Sequence, residues 1–308
     1  MTGSFHLIVN PAAGGGRALR SAAEATEVLA ALGVRHQVTR SASLDHAREL
    51  AAAAVDAGQV AVAVGGDGMA GALAAAVAGQ SPDGVLGLIP AGRGNDLARV
   101  LAIPAGPEAA VALLTGGTPR PVDLIGVSIP GQPELAVAGS VYAGLPSVAG
   151  EIANGTRWLS GPAVYPVAAL RALAAWTPVT FGLEQAGAGR AEFGGYAVVI
   201  ANIAYFGAGM MVAPPARIDD GVLDIVTMRD GPRLAFLRVL LRIRAGTHVA
   251  LRQVELDRAA AVTLTMDRAL PVAADGEVLP WASPLLAGTP LTVRALPGLL
   301  RVIAPPAG

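Results

Sequence analysis

The chain has 308 residues, 53% hydrophobic and 15% charged, so it is long enough for two domains with proper cores and is not intrinsically disordered. It contains no cysteine and no lysine, which excludes disulfides, thiolate nucleophiles, cysteine metal sites, a Walker A loop and Schiff-base lysine chemistry. The formal net charge of -1, without a basic run, disfavours sequence-independent nucleic-acid binding, and we expect no nucleic-acid partner.

Strands and helices alternate over the first third of the chain. The sequence predicts strands over 5–10, 34–40, 60–66 and 85–92, and helices over 17–33, 43–58 and 95–101. The third strand is apolar throughout, which is typical of a strand buried on both faces. This alternation favours a parallel, doubly wound α/β domain.

After about residue 127 the pattern changes to short β-rich runs separated by glycine and proline. Two helical stretches interrupt these runs, at 162–176 and 233–246, and the last strand, within 298–305, has no obvious partner. We therefore expect an α/β nucleotide-binding domain over 1–124, with 297–308 a candidate to complete it. A β-sandwich or similar antiparallel domain is expected over 125–296.

The N-terminus has no basic leader ahead of a long apolar core, so we interpret it as the first strand rather than a signal peptide. The uncharged stretch 193–216 is long enough to span a bilayer. Its glycines, Asn202 and Pro214-Pro215 favour buried strands and a loop, with a membrane span as the alternative. We expect a cytoplasmic protein without an integral span.

Three glycine-rich loops each follow a predicted parallel strand, at 10–16, 65–68 and 91–96. In an open α/β sheet such loops gather at the carboxyl edge, where ligands bind. Glycine lets backbone N–H groups approach a phosphate, and the helix N-termini that follow favour anions. Any one loop alone is equally well an ordinary tight turn, but together they predict a nucleotide-phosphate site.

Two aspartates, Asp67 and Asp96, lie within these loops. A carboxylate beside phosphates repels them unless a cation lies between, and Mg²⁺ prefers carboxylate and phosphate oxygens. We expect Asp67 to organise phosphate or metal and Asp96 to cap the helix that follows. The alternative is that each aspartate is only a helix cap.

Acidic residues also cluster twice in the second half of the chain. Asp219, Asp220 and Asp224 surround Gly221, and Asp275 and Glu277 flank Gly276. Each Asp-Gly pair is also typical of a hairpin turn. Phosphoryl transfer to a hydroxyl needs a positioned base. With no cysteine or lysine and only four scattered histidines, carboxylates must supply it.

Five stretches resemble, in order, the motifs of the diacylglycerol kinase catalytic family: "IVNPAAGGG", "VGGDGMAGAL", "GLIPAGRGNDLAR", "IANIAYFGAGMMVAPPARIDDGVLDIV" and "DGEVLP". The family comprises lipid kinases, including bacterial diacylglycerol kinases, sphingosine kinases and ceramide kinases, and the resemblance covers nearly the whole chain. It implies ATP between the domains, Mg²⁺, and transfer of the γ-phosphate to a lipid hydroxyl at a membrane surface. Diacylglycerol is the expected acceptor; a sphingoid base, a glycolipid precursor or a catalytically silent binding protein are the alternatives.

The resemblance also implies roles for single residues. The nucleotide-contact positions are Asn10, Gly14, Ser41, Gly65, Gly66, Asp67, Gly68, Met69, Gly71, Gly92, Arg93, Gly94 and Asn95. Glu277 occupies the position of the family's proton acceptor, with Asp275 close enough to share or replace that role. Asp220, with the backbone carbonyls of Arg217 and Val222, matches a Mg²⁺ site of bacterial members.

Some positions depart from the family pattern. Met69 and Arg93 each replace a threonine, and Pro146 replaces an aspartate, which motivates the catalytically silent alternative. Arg93 is expected to compensate, because a guanidinium binds phosphate bidentately.

The predicted helix 233–246 carries leucines on one side, at Leu234, Leu237, Leu240 and Leu241, and arginines largely elsewhere. Such a helix either lies in an anionic membrane interface or packs on the β domain with a solvated arginine face. We expect peripheral membrane association. The sequence leaves the oligomeric state open, a homodimer included.

Overall fold

A computed structural model describes residues 4–155, 164–185, 189–207, 209–282 and 284–306. The first part of the chain forms strands and helices in alternation. Its strands are β1 (Phe5–Val9), β2 (His36–Arg40), β3 (Val60–Gly65) and β4 (Val85–Pro90). Its helices are α1 (Arg17–Ala31), α2 (Leu44–Asp56), α3 (Asp67–Gln80), α4 (Asp96–Val100) and α5 (Pro107–Gly116).

The four strands pair in parallel in the order β4-β3-β1-β2, and every residue of β1 and β3 is buried. Helices α1 and α5 cover one face of this sheet, and α2, α3 and α4 pack in the core on the other. The predicted doubly wound α/β layer is therefore confirmed. Parallel order also brings the loops after β1, β3 and β4 to one edge, where the candidate site lies.

The rest of the chain is mainly antiparallel. Its strands are β5 (Thr118–Ser128), β6 (Leu135–Val137), β7 (Ser140–Gly144), β8 (Val179–Gln185), β9 (Gly189–Ala201), β10 (Tyr205–Phe206), β11 (Met210–Met211), β12 (Leu223–Arg229), β13 (Val254–Ala259), β14 (Ala261–Met266), β15 (Val272–Ala274), β16 (Glu277–Val278) and β17 (Leu291–Ala304). Its helices are α6 (Leu145–Gly155), α7 (Val164–Ala175) and α8 (Arg233–Ile243). Short 3₁₀ turns occupy Ala13–Gly15 and Thr247–Ala250.

The last strand, β17, joins the two parts. Its first half pairs with β14, and its second half runs parallel to β4, with Arg301 opposite Val85. Strand β5 pairs antiparallel with β17 along most of its length. The last strand thus pairs with the edge strand β4 of the first sheet. Both β5 and β17 run across the predicted domain boundaries, which stay a prediction.

The stretch 193–216 forms β9 and the β10–β11 hairpin, as expected from its glycines and prolines. Within the described ranges, no helix combines the length and the apolar character needed to cross a bilayer. Helices α5 and α6 were not predicted. Of the predicted helix 162–176, residues 162 and 163 lie outside the described residues.

Candidate active site

The three glycine-rich loops touch one another through bare backbone. Gly14 has a left-handed φ of 60°, and a Cβ at this position would collide with the carbonyl oxygen of Ala91. The Cα atoms of Gly66 and Gly92 are also too close for a side chain on either residue. The carbonyl of Gly65 accepts hydrogen bonds from the N–H groups of Ala91 (2.8 Å) and Gly92 (3.1 Å). Glycine at these positions therefore assembles one continuous loop surface.

Asp67, the first residue of α3, holds the third loop in place. Its carboxylate accepts hydrogen bonds from the backbone N–H groups of Asn95, at 2.8 Å, and Asp96, at 2.5 Å. The prediction that Asp96 caps the following helix is wrong: Asn95 is the N-cap residue, and Asp96 is the buried first residue of α4. The N-terminus of α4 is capped by Asp67 instead, although Asp67 belongs to α3. This is possible because the N-termini of α3 and α4 meet at the same edge of the sheet.

Asp275 reaches the same place from the second part of the chain. Asp275 (φ 48°) and Gly276 (φ 92°) form the two-residue turn between β15 and β16, so the hairpin interpretation of this Asp-Gly pair is correct. The Asp275 carboxylate accepts hydrogen bonds from the N–H groups of Ala138 (2.9 Å), Gly139 (2.9 Å) and Ser140 (3.0 Å). The turn thus also fixes a functional side chain.

Gly71 makes room for this carboxylate. A Cβ on Gly71 of α3 would lie 3.0 Å from Oδ2 of Asp275. Burial is the main cause that raises the pKa of Asp275 above its usual value; the three N–H groups oppose the shift, and the negative charge of Asp67 adds to it. A raised pKa brings a carboxylate closer to the range in which it can accept a proton.

Asp67, Asp96 and Asp275 line one cavity of about 170 Å³ between the two parts of the molecule. Its other walls are glycine backbone and side chains that include Leu97, Ile203, Tyr205 and Phe206. Glu277 is exposed on β16 and is not part of this lining. The structure therefore brings Asp67 and Asp275 together in the cavity lining, which does not include Glu277.

At two predicted nucleotide-contact positions the side chain is buried. Met69 is only 1% exposed and packs in the core beneath α3, so its side chain lies away from the loop surface, and a contact from its backbone stays a prediction. Its spacing with Leu73 and Val77 is the apolar period of a buried helix face, which could have indicated this. Ser41 is buried, and its hydroxyl donates to the carbonyl of Val9 at 3.2 Å.

The remaining predicted positions lie on the loop surface. Asn10 directly follows β1, and its Oδ1 accepts from the N–H of Ala12 at 3.1 Å. Gly68 lies in the first turn of α3 with open space around it. Arg93 is exposed, next to buried Gly94. The side chain of Asn95 bonds the backbone of Gly92.

Two arginines at the site were missed. Arg17, the first residue of α1, donates from Nη2 to the carbonyl of Gly92 at 2.6 Å, and so joins the first loop to the third. Arg99 lies 3.5 Å from the Asp96 carboxylate and over the ring of Tyr205, 5.1 Å from its centroid. The absence of lysine could have indicated these two arginines, because a chain without lysine depends on arginine for positive charge at a phosphate site.

The loop predicted to bind Mg²⁺ is occupied by arginine. The Asp220 carboxylate is paired with Arg258, and Arg258 Nε lies 3.5 Å from Oδ1 of Asp224. Asp220 also accepts from the N–H of Val222 at 3.3 Å. A Mg²⁺ ion at Asp220, Arg217 and Val222 would have to displace Arg258, so the residues present do not fit that metal.

A buried aspartate that the sequence did not single out ties this loop to both parts of the molecule. The Asp123 carboxylate accepts from the N–H groups of Gly221 and Gly298, each at 2.7 Å. The carbonyl of Asp123 accepts from the side chain of Asn202 at 2.8 Å. Asp123 therefore joins β5, the 217–224 loop and β17 at one point.

An α/β sheet whose glycine-rich loops meet an acidic hairpin from an antiparallel sheet has the arrangement of a ligand site at the carboxyl edge of parallel strands. Residues 4–127 match the family model described as the diacylglycerol kinase catalytic domain, and residues 139–304 match the YegS C-terminal NAD kinase beta sandwich-like domain. The chain therefore belongs to the diacylglycerol kinase family of lipid kinases, and the predicted resemblance is confirmed.

Individual relatives agree with this. A diacylglycerol kinase of Mycobacterium tuberculosis is 32% identical over 98% of this chain and 96% of its own. A crystal structure of a diacylglycerol kinase from Bacillus anthracis is 19% identical, with a TM-score of 0.73 over 99% of this chain and 97% of that chain. An NAD kinase from Archaeoglobus fulgidus, solved in complex with ATP, is 15% identical and has a TM-score of 0.52 over 97% of this chain and 92% of that chain.

Proposed function

We propose that this lipid kinase transfers the γ-phosphate of ATP to the hydroxyl of diacylglycerol and forms phosphatidic acid. The observation that carries the proposal is the meeting of Asp275 with Asp67 across the cavity, beside the joined glycine-rich loops. Such a site has the parts that phosphoryl transfer needs: a phosphate-binding backbone, a place for a cation and a carboxylate for the hydroxyl proton.

The phosphates of ATP would lie along the loops after β1, β3 and β4. Arg17 and exposed Arg93 would balance part of their charge. Asp67 would hold Mg²⁺, which neutralises charge on the phosphates when bound. The described residues contain no group of three or more ligating side chains, and Mg²⁺ commonly uses one or two carboxylates together with phosphates.

Asp275 would act as the proton acceptor. The acceptor oxygen attacks the γ-phosphorus, the bond to the β,γ-bridging oxygen breaks with release of ADP, and the hydroxyl proton moves to the Asp275 carboxylate. Three backbone N–H groups hold this carboxylate in position, and its raised pKa suits the task. Glu277, which the resemblance favours, is the alternative acceptor.

Transfer from γ-labelled ATP to lipids in mixed micelles tests the proposal. The wild type should label diacylglycerol, with less label on a sphingoid base. Asp275→Asn should lower kcat by about 10²-fold or more, because general-base assistance is lost, whereas Glu277→Gln should retain most activity. ATP binding without any labelled lipid would favour the catalytically silent alternative. Full activity in Asp275→Asn would refute the assigned base.

Helix α8 supports peripheral membrane association. Phe236, Val239 and Ile243 bury one face against the β domain, so the helix packs as in the second of the two predicted alternatives. Its opposite face leaves Leu234 66% and Leu241 76% exposed. Exposed arginines border these leucines at positions 233, 238, 242 and 244. Exposed leucine bordered by arginine suits a lipid surface with anionic headgroups.

Flotation with phosphatidylglycerol vesicles tests this surface. Leu241→Glu should reduce the bound fraction severalfold, because it removes apolar contact and adds a repelled charge. Leu32→Glu is the matched control, since Leu32 is 58% exposed at the end of α1 and has no assigned membrane contact. Equal binding of the two variants would contradict the role of α8.

A further inference from the structure

The 217–224 loop carries three aspartates that do not line the cavity, and arginines face all of them. Arg258 pairs with Asp220 and lies 3.5 Å from the Asp224 carboxylate. Asp219 lies 3.5 Å from Arg217 and 3.6 Å from Arg120. Three carboxylates therefore face three guanidinium groups, and the loop carries no excess negative charge that would attract a divalent cation.

The register of the sheet fixes the position of Arg258. Strand β12 pairs antiparallel with β13, and Asp224 lies directly opposite Arg258. Cross-strand neighbours of opposite charge are brought together by the backbone itself. From this position the guanidinium contacts Asp224, which lies in β12, and also Asp220, which lies in the loop before β12.

Asp224 requires a positive charge at this point. Its side chain is fully buried, and both of its carboxylate oxygens lack hydrogen bonds. Arg258 is the basic group, among the described residues, that lies against it. Burial raises the pKa of Asp224 and the negative charge of Asp220 adds to the rise, whereas the charge of Arg258 opposes it. The Arg258 contact therefore favours the ionised form of this buried carboxylate.

We propose that the guanidinium of Arg258 is the built-in counter-ion of the 217–224 loop, in place of the divalent cation that the family resemblance assigns to Asp220. The loop then folds without a metal. Guanidinium suits this position, because its planar fork can contact two carboxylates and it is more weakly hydrated than Mg²⁺. This inference concerns the fold of the loop and does not depend on the acceptor lipid.

Thermal unfolding of Asp220→Asn tests the proposal in the full chain. If Arg258 is the counter-ion, the variant should lose the same number of degrees of Tm in EDTA and in millimolar MgCl₂, because its missing partner is an arginine. A loss of Tm that appears only with MgCl₂ would overturn the proposal, because it would place a metal at Asp220 in the wild type.

Removal of Arg258 should create the metal site. Without nucleotide, Arg258→Ala should have a Tm about 5 °C below wild type in EDTA, recover part of it with MgCl₂, and bind one more Mn²⁺ than wild type in isothermal titration. The additional binding should disappear in Arg258→Ala with Asp220→Asn. Arg217→Ala is the charge-matched control and should gain no Mn²⁺, because Arg258 still covers Asp220.

Two results would overturn the proposal here. The first is nucleotide-independent Mn²⁺ binding by the wild type that Asp220→Asn abolishes. The second is a folded Arg258→Ala variant that gains no Mn²⁺ site. If Arg258→Ala does not fold in either buffer, the unfolding comparison of wild type with Asp220→Asn decides the question by itself.

Discussion

The two acidic regions of the molecule differ in what holds their carboxylates. At the cavity, two backbone N–H groups bind Asp67 and three bind Asp275. In the 217–224 loop, guanidinium groups bind Asp219, Asp220 and Asp224. A backbone N–H orients a carboxylate but leaves its formal charge in place, whereas a guanidinium neutralises it.

This difference favours the cavity over the 217–224 loop as the place of the proposed cation. The cavity keeps negative charge beside a phosphate-binding surface, so a Mg²⁺–nucleotide complex would be attracted there. In the 217–224 loop, arginines already pair with the aspartates, so we assign the loop a structural role. Residue type and the Asp-Gly pattern are the same in both regions, and only the partners of each carboxylate distinguish them.

The largest expected effect is a loss of activity when a carboxylate charge is removed at the cavity, compared with little change when one is removed in the 217–224 loop. Asp67→Asn should lower kcat/KM by roughly 10²–10³-fold, because it removes a metal-binding charge, and its amide N–H₂ faces one of the two N–H donors of α4. Asp219→Asn should change activity little, because its carboxylate lies outside the cavity lining and faces Arg217 and, in β5, Arg120. Steady-state kinetics of both variants would check this; equal losses would remove the distinction.

A smaller effect is expected from the close approach of Gly71 to Asp275. Gly71→Ala should lower kcat roughly tenfold, because the new methyl group forces the Asp275 carboxylate out of position. Gly79→Ala in the same helix is the control. Its Cβ meets open space, so it should keep full activity and gain about 0.5–1 kcal/mol in free energy of unfolding. Matching kinetics for the two variants would be evidence against a precise position of Asp275.

The pH dependence gives the smallest effect. A proton acceptor works when ionised, and the pKa of Asp275 is raised by burial, so kcat should fall with decreasing pH at a higher pH than for an ordinary aspartate. The pH profile of kcat for the wild type checks this. An acid limb at the pH of an ordinary aspartate would mean that it reports another group.

The α/β layer and the loop positions could be predicted from the sequence because both depend on local patterns. Strand β3 is a continuous apolar run that ends in glycine, and α2 is capped by Ser43, whose hydroxyl accepts from the N–H of His46. Local periodicity also places Met69 on the buried face of α3. The family motif has a threonine at this position and so suggests a hydroxyl beside the phosphates. In this structure, however, the side chain of residue 69 packs in the core.

Long-range partners could not be predicted. Asp275 is held by N–H groups more than a hundred positions earlier in the chain, and Arg258 reaches Asp220 through the register of β12 and β13. Asp123 contacts Gly221 and Gly298, which no spacing rule connects. An acidic residue in a loop thus suggests a cation site from sequence, but the neighbouring strand decides whether an arginine is already there.

The most direct test is electron paramagnetic resonance of Mn²⁺ with a non-hydrolysable ATP analogue. We expect Mn²⁺ bound by the wild type only when the nucleotide analogue is present. This binding should be lost in Asp67→Asn and kept in Asp220→Asn, because Asp67 would hold the metal together with the phosphates. Binding that persists in Asp67→Asn but disappears in Asp220→Asn would place the cation in the 217–224 loop and contradict the account.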